Sequence, residues 1–200
     1  MTAFKQTPSQ TVGPYFAYGL CPEQYGYDFK SLLTPALARH DTPGEAIVII
    51  GRVFDGDGNT INDAMLEISQ VDSQGHYPAT REEVATSGFR GFARTGTGTD
   101  PEQRFIVETI KPGVAPERVA AGEAPHLNVI VTMRGLLLHA FTRIYFGDEE
   151  AANARDPVLC SVPAARRATL IAQKDCQTDQ TVYRFDIYMQ GPLETVFFDL

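Results

Sequence analysis

The sequence lacks several features that would have fixed its class at once. No run reaches the roughly eighteen apolar residues that a membrane-spanning helix needs. The opening stretch MTAFKQTPSQTVGPYF (1–16) carries neither an apolar core nor the small-residue cleavage site of a secretory signal. Internal repeats and low-complexity tracts are missing. Cysteine is scarce: Cys21, Cys160 and Cys176 cannot all pair and show no CxxC spacing, so the expectation is reduced thiols in a cytoplasmic protein. Positive charge is also short, with 17 Lys and Arg against 25 Asp and Glu and a formal net charge of −8. Nucleic acid and anionic membrane are excluded as partners on that ground, because both would be repelled. An anionic substrate would need a local basic residue to overcome the same field.

What remains is an ordinary globular composition, 43% hydrophobic and 21% charged over 200 residues, enough to bury a core as one large domain. Residues 1–45 form an arm. Pro8, Pro14, Pro22, Pro35 and Pro43 interrupt any long element there, with a short helix expected in SLLTPALARH (31–40). An irregular arm of this length packs on its own domain or on a partner. Residues 46–200 are expected to be one domain with strand grammar. AIVIIGRVFD (46–55) is β-branched and ends in the hairpin-type turn GDGN, and AMLEISQVD (64–72) alternates. RFIVETI (104–110), HLNVIVTMR (126–134), LLLHAFTRIYF (136–146), VYRFDIYMQ (182–190) and ETVFFDL (194–200) complete the strand set. DEEAANAR (148–155) and AARRATLIAQ (164–173) are expected to be helical, and the Gly-, Thr- and Ser-rich segment 73–103 to be a long loop. Many strands at short spacing with peripheral helices predict an all-β fold, a β-sandwich of mixed topology.

The stretch APHLNVIVTMRG (124–135) raises the chemical question. His126 and Asn128 are two apart and share a strand face. A His-x-His pair there would make a metal half-site, but asparagine is a poor ligand for most transition metals. Residue chemistry alone leaves three readings: a metal site, a metal site that has lost its metal, or a strand with two polar residues. His139 cannot complete a site with His126. Across a hairpin turning near Gly135 they lie about six strand positions, roughly 20 Å, apart. Gly13 and Pro14 hold Tyr15 in a rigid frame, which suits either an anchoring aromatic or a binding-site residue. Arg134, at a strand end before Gly135, is either a solvated turn arginine or a cation for a carboxylate, whose two oxygens match its planar fork.

TPSQTVGPYF (7–16), GRVFDGDGNTINDAMLEISQVDSQGHYP (51–78), TIKPG (109–113), APHLNVIVTMRGLLLHAFTRIYF (124–146) and YRFDIYMQGPLETVFFD (183–199) resemble, in order and over nearly the whole chain, the intradiol ring-cleavage dioxygenases. The resemblance implies a β-sandwich core and a ferric site of two tyrosines and two histidines. Tyr77 in GHYP matches the first tyrosine and His126 the first histidine. Ala115 stands where the second tyrosine is expected, Asn128 where the second histidine is, and Glu123 where the family has an arginine. One phenol, one imidazole and a neutral amide make a poor chelate for Fe(III), so these are expected to be vestigial metal positions, with no metal bound by this chain. TPSQTxGPY and ETVFFD resemble a subunit type that works with an iron-bearing partner. That resemblance implies a homologous β subunit in an αβ hetero-oligomer, Fe(III) supplied by that partner, and protocatechuate and O₂ as substrates. It further implies that Arg134, Tyr15, Thr11, Gly13 and Pro14 contact substrate, that residues 1–45 pack on the partner, and that none of this chain's residues is catalytic. Two other readings stay open: a self-sufficient ferric enzyme with its centre elsewhere on the chain, and a non-catalytic β-sandwich binding module.

Overall fold

Alternation decides which faces meet. In β5 (His126–Thr132) Leu127, Val129 and Val131 are buried, while His126, Asn128 and Ile130 are only partly covered on the opposite face. The other strands are β1 (Ala46–Phe54), β2 (Met65–Ser69), β3 (Phe92–Gly96), β4 (Arg104–Ile110), β6 (Ala140–Phe146), β7 (Ile171–Asp175), β8 (Thr181–Arg184) and β9 (Ile187–Tyr188). These come from a computed structural model, which describes residues 18–175 and 180–199. The strand order is β3-β2-β5-β6-β7-β8-β1-β4, with β9 on β1. Strand β7 is the seam, since it pairs parallel with β6 and antiparallel with β8. Around it the strands fold into two layers. Leu66, Ile68, Leu127, Val129 and Ile144 of one layer share a core with Ile47, Ile49, Phe105, Val107 and Tyr183 of the other. The expected β-sandwich of mixed topology is what the chain forms.

Short helices sit outside this core: α1 (Arg81–Ser87), α2 (Pro116–Ala120), α3 (Glu150–Asn153) and α4 (Pro157–Ser161). A smaller cluster of Ala124, Tyr145, Leu159, Val162 and Leu170 seats α4 against the sandwich. Its polar centre is Asp156, fully buried at the N-cap of α4. This carboxylate accepts from Leu159 N at 2.8 Å, Ala124 N at 2.9 Å and the Tyr145 hydroxyl at 3.0 Å. It thereby holds the residues just before β5 in place. Gly51 serves close packing: a Cβ there would lie 1.7 Å from Phe185 O, so only glycine lets the C-terminal segment cross β1.

Several local expectations are corrected. Residues 31–40 form no helix. Leu37 is fully buried in extended backbone, its N–H donating to Glu108 O at 2.9 Å and its carbonyl accepting from Arg90 N at 2.7 Å. The strand expected from 136 begins at Ala140, because Met133–Leu136 turn at Gly135, whose φ is 86°. The helix expected over 164–173 is a 3-10 segment, Ala164–Leu170, that runs straight into β7. The loop expected over 73–103 contains α1 and β3. The strand expected over 182–190 breaks at Phe185 and Asp186, between β8 and β9. Of 194–200, the described residues make a single bridge, Phe141 with Phe198.

Candidate functional site

Two clefts lie near opposite ends of β5. At its start, Tyr77, His126 and Asn128 meet in a cleft of about 250 Å³ with Val71, Gly113, Arg118, Glu123 and Arg143. The turn after β2 delivers Tyr77. Asp72 accepts from Gln74 N at 2.8 Å and His76 N at 2.9 Å, which winds the turn tightly. Gly75 has φ 88° and lies against Ala115, where a Cβ would come within 2.1 Å of Ala115 N. The turn thus packs on the segment that leads into α2, and Ala115 is buried two residues beyond the cleft-lining Gly113. Asn128 Nδ2 donates to the Tyr77 hydroxyl at 3.4 Å, so positions 51 residues apart touch. His126 Nδ1 and Ala124 O are 2.9 Å apart; a carbonyl only accepts, so Nδ1 carries the proton and the ring is fixed in that tautomer. Burial pushes the His126 pKa below its ordinary value.

This donor set does not fit ferric iron. The Tyr77 oxygen accepts a hydrogen bond from an amide, Ala115 offers no donor, and the Asn128 amide is neutral and turned to Tyr77. The cation on this face is a side chain. Strand pairing sets Arg143 of β6 directly opposite Asn128, so both project to the His126 side of the sheet. Among the described residues no cluster of three or more His, Cys, Asp or Glu is arranged to hold a metal ion.

Past the end of β5 lies a second cleft, of about 450 Å³, lined by Tyr18, Tyr25, Asn62, Asp63 and Arg134 among others. The Arg134 side chain is 67% exposed, and its Nε donates to Asp63 Oδ2 while Asp63 itself is 12% exposed. The hydrogen bond to Asp63 raises the Arg134 pKa, so the guanidinium stays charged. Tyr18 and Tyr25 meet edge to face, with centroids 4.5 Å apart, on the same cleft. The other expected substrate contacts, Thr11, Gly13, Pro14 and Tyr15, lie outside the described residues, as does Cys176. Sequence reasoning missed Asp63 and Arg143. Asp63 carries no sequence signal, since it follows a turn 71 residues from its partner. Arg143 had one: it is the charged residue of a strand that pairs with 126–132.

This pair of clefts sits on a fold that comparison identifies. A family model described as Dioxygenase matches residues 22–191, and the chain belongs to that family, the intradiol dioxygenases. Among individual proteins, the protocatechuate 3,4-dioxygenase alpha chain of Burkholderia cepacia is 66% identical over 201 residues, covering 100% of both chains. The protocatechuate 3,4-dioxygenase beta chain of the same organism is 28% identical over 169 residues, 80% of this chain and 71% of its own. The solved intradiol ring-cleavage dioxygenase of Tetranychus urticae superposes with a TM-score of 0.60 over 96% of this chain and 99% of its own at 16% identity, a likeness of fold. No helix among the described residues is long and apolar enough to cross a membrane.

Proposed function

We propose that the chain is the α subunit of a protocatechuate 3,4-dioxygenase, pairing with a homologous β subunit for O₂-dependent cleavage of protocatechuate to 3-carboxy-cis,cis-muconate in the cytoplasm. The observation that carries the reading is 66% identity, without loss at either end, to a protein named as that alpha chain. In this reading the partner holds Fe(III), which supplies the centre where the diol and O₂ react. The poor fit of Tyr77, Ala115, His126 and Asn128 to iron supports that division of labour.

The α chain's part is to complete the pocket. Arg134 keeps Nε on Asp63, and its terminal nitrogens make no other bond among the described residues, so they remain for a carboxylate. Tyr18, the first described residue, lines the same cleft as Arg134. In this reading Thr11, Gly13, Pro14 and Tyr15 contact substrate, and the arm 1–45 packs on the partner. Co-expression with the homologous β chain and measurement of iron tests the assignment. The expected result is about one iron per αβ pair and none in the purified α chain. A coloured, iron-loaded, active α chain would instead make it a self-sufficient enzyme. A chain that never associates with the β homologue would make it a binding module.

A further inference from the structure

We propose that the cleft between Tyr77, Asn128 and Arg143 binds a small monocarboxylate, with the Arg143 guanidinium as its counter-charge. This goes beyond the α-subunit reading and does not rest on it. The charges of the cleft do not cancel. Arg118 is paired with Glu123 at 3.1 Å, whereas Arg143 has one bond among the described residues, to the Tyr145 hydroxyl at 3.3 Å, and reaches the buried Asp156 only through that hydroxyl. A partly buried guanidinium with no carboxylate partner carries an unmet demand for an anion. A second donor faces the same space. The Tyr77 oxygen accepts from Asn128, which leaves its own proton free to donate, and the residue is 48% exposed.

The chemistry narrows the ligand. A planar fork matches the two oxygens of a carboxylate. One cation with no carboxylate bonded to it directly, and with Glu123 on the wall, favours a monoanion over a dianion such as phosphate. The cleft of about 250 Å³ has room behind the carboxylate for a small organic group, which would lie against Val71. The site is separate from the Arg134 cleft. Asn128 and Arg134 are six positions apart along an extended segment, roughly 20 Å. A metal and Arg143 would repel each other here, so the strand pair that could have supported a cation site now carries a built-in cation.

The test is calorimetric titration of the assembled protein with benzoate, acetate and inorganic phosphate, on the wild type, Arg134→Ala and Arg143→Gln. The expected result is a benzoate site with Kd below about 1 mM that survives in Arg134→Ala and weakens at least about tenfold in Arg143→Gln. Lysine at 143 should restore part of the affinity, because it returns the charge without the fork. Tyr77→Phe should weaken benzoate several-fold in a protein with unchanged melting temperature, which keeps the test intact if Arg143→Gln does not fold. Benzoate heat lost entirely in Arg134→Ala and unchanged in Arg143→Gln overturns the proposal. So does tighter binding of phosphate than of either carboxylate.

Discussion

At the scale of single residues, Asp63 engages one edge of the Arg134 guanidinium, and the proposed function gives the other edge to the substrate carboxylate. Asp63 holds the Nε edge and so aims the terminal nitrogens, which fixes direction as well as charge. In the assembled enzyme, Arg134→Ala is expected to raise KM for protocatechuate roughly 10- to 100-fold, as loss of a charge-assisted hydrogen bond does. Catechol, which lacks the carboxylate, should be little affected; equal losses for both would point to a structural arginine. The cysteines differ as sharply. Burial pushes the Cys21 thiol up to about 11, so almost no thiolate exists at neutral pH. Cys160 is exposed. Iodoacetamide at pH 8 should modify Cys160 in the native protein and reach Cys21 only after denaturation, as peptide mass spectrometry would show.

At the scale of elements, Asp156 ties α4, β6 and the entry to β5 into one unit through three bonds to a single buried carboxylate. Asp156→Ala removes a helix cap and leaves a buried hydroxyl and a buried amide unsatisfied. A loss of about 3 kcal/mol or more in urea unfolding is expected, against under about 0.5 kcal/mol for a neutral surface substitution. Elements with a clear period were legible in the sequence: β1, β2, β4 and β5 fall where alternation and β-branching put them. Elements set by distant partners were not. Leu37 is extended because Glu108 and Arg90 bond it, which overrides the local helix signal of 31–40. Strand β7 exists because it joins β6 to β8, and LIAQ alone carries no such information. The likeness to the intradiol dioxygenases singled out Tyr77, His126 and Asn128, which meet in one cleft, and Arg134, which lines the other. Of the partners that define each cleft, Arg143 follows from the pairing of β6 with β5, whereas Asp63 emerges only from its contact with Arg134 across 71 residues.

At the scale of the whole molecule, the two layers are also joined by charge. Lys111 at the end of β4 reaches Asp148 at 3.1 Å and Glu149, and the Tyr183 hydroxyl of β8 donates to Asp148 at 2.8 Å. Burial opposes the charged Asp148, but Tyr183 and Lys111 outweigh it and hold its carboxyl below the usual range. Burial likewise opposes the charged Lys111, yet Glu149 and Asp148 hold its pKa above the ordinary value. For Asp148 the sign follows from the lowered folded value. Its contribution is complete above the unfolded pKa of about 3.9 and drains away as pH falls through the folded one. Stability should therefore fall below about pH 4, and Asp148→Asn should be less stable at pH 7 with a flatter acid limb in melts from pH 2 to 7.

Strand β1 sits between β4 and β8, and its pairing with β8 joins Ile47 to Thr181 and Val48 to Val182. During synthesis, at about 5–20 residues per second, β1 therefore waits on the order of 10 s for its second neighbour. Over that interval the run from Ile47 to Ile50 presents an open β edge of four aliphatic residues. The sandwich closes only once the C-terminal strands have left the ribosome. Until then, nascent chains crowded on one message risk pairing β1 with one another, and slower translation past β4 would lengthen that exposure.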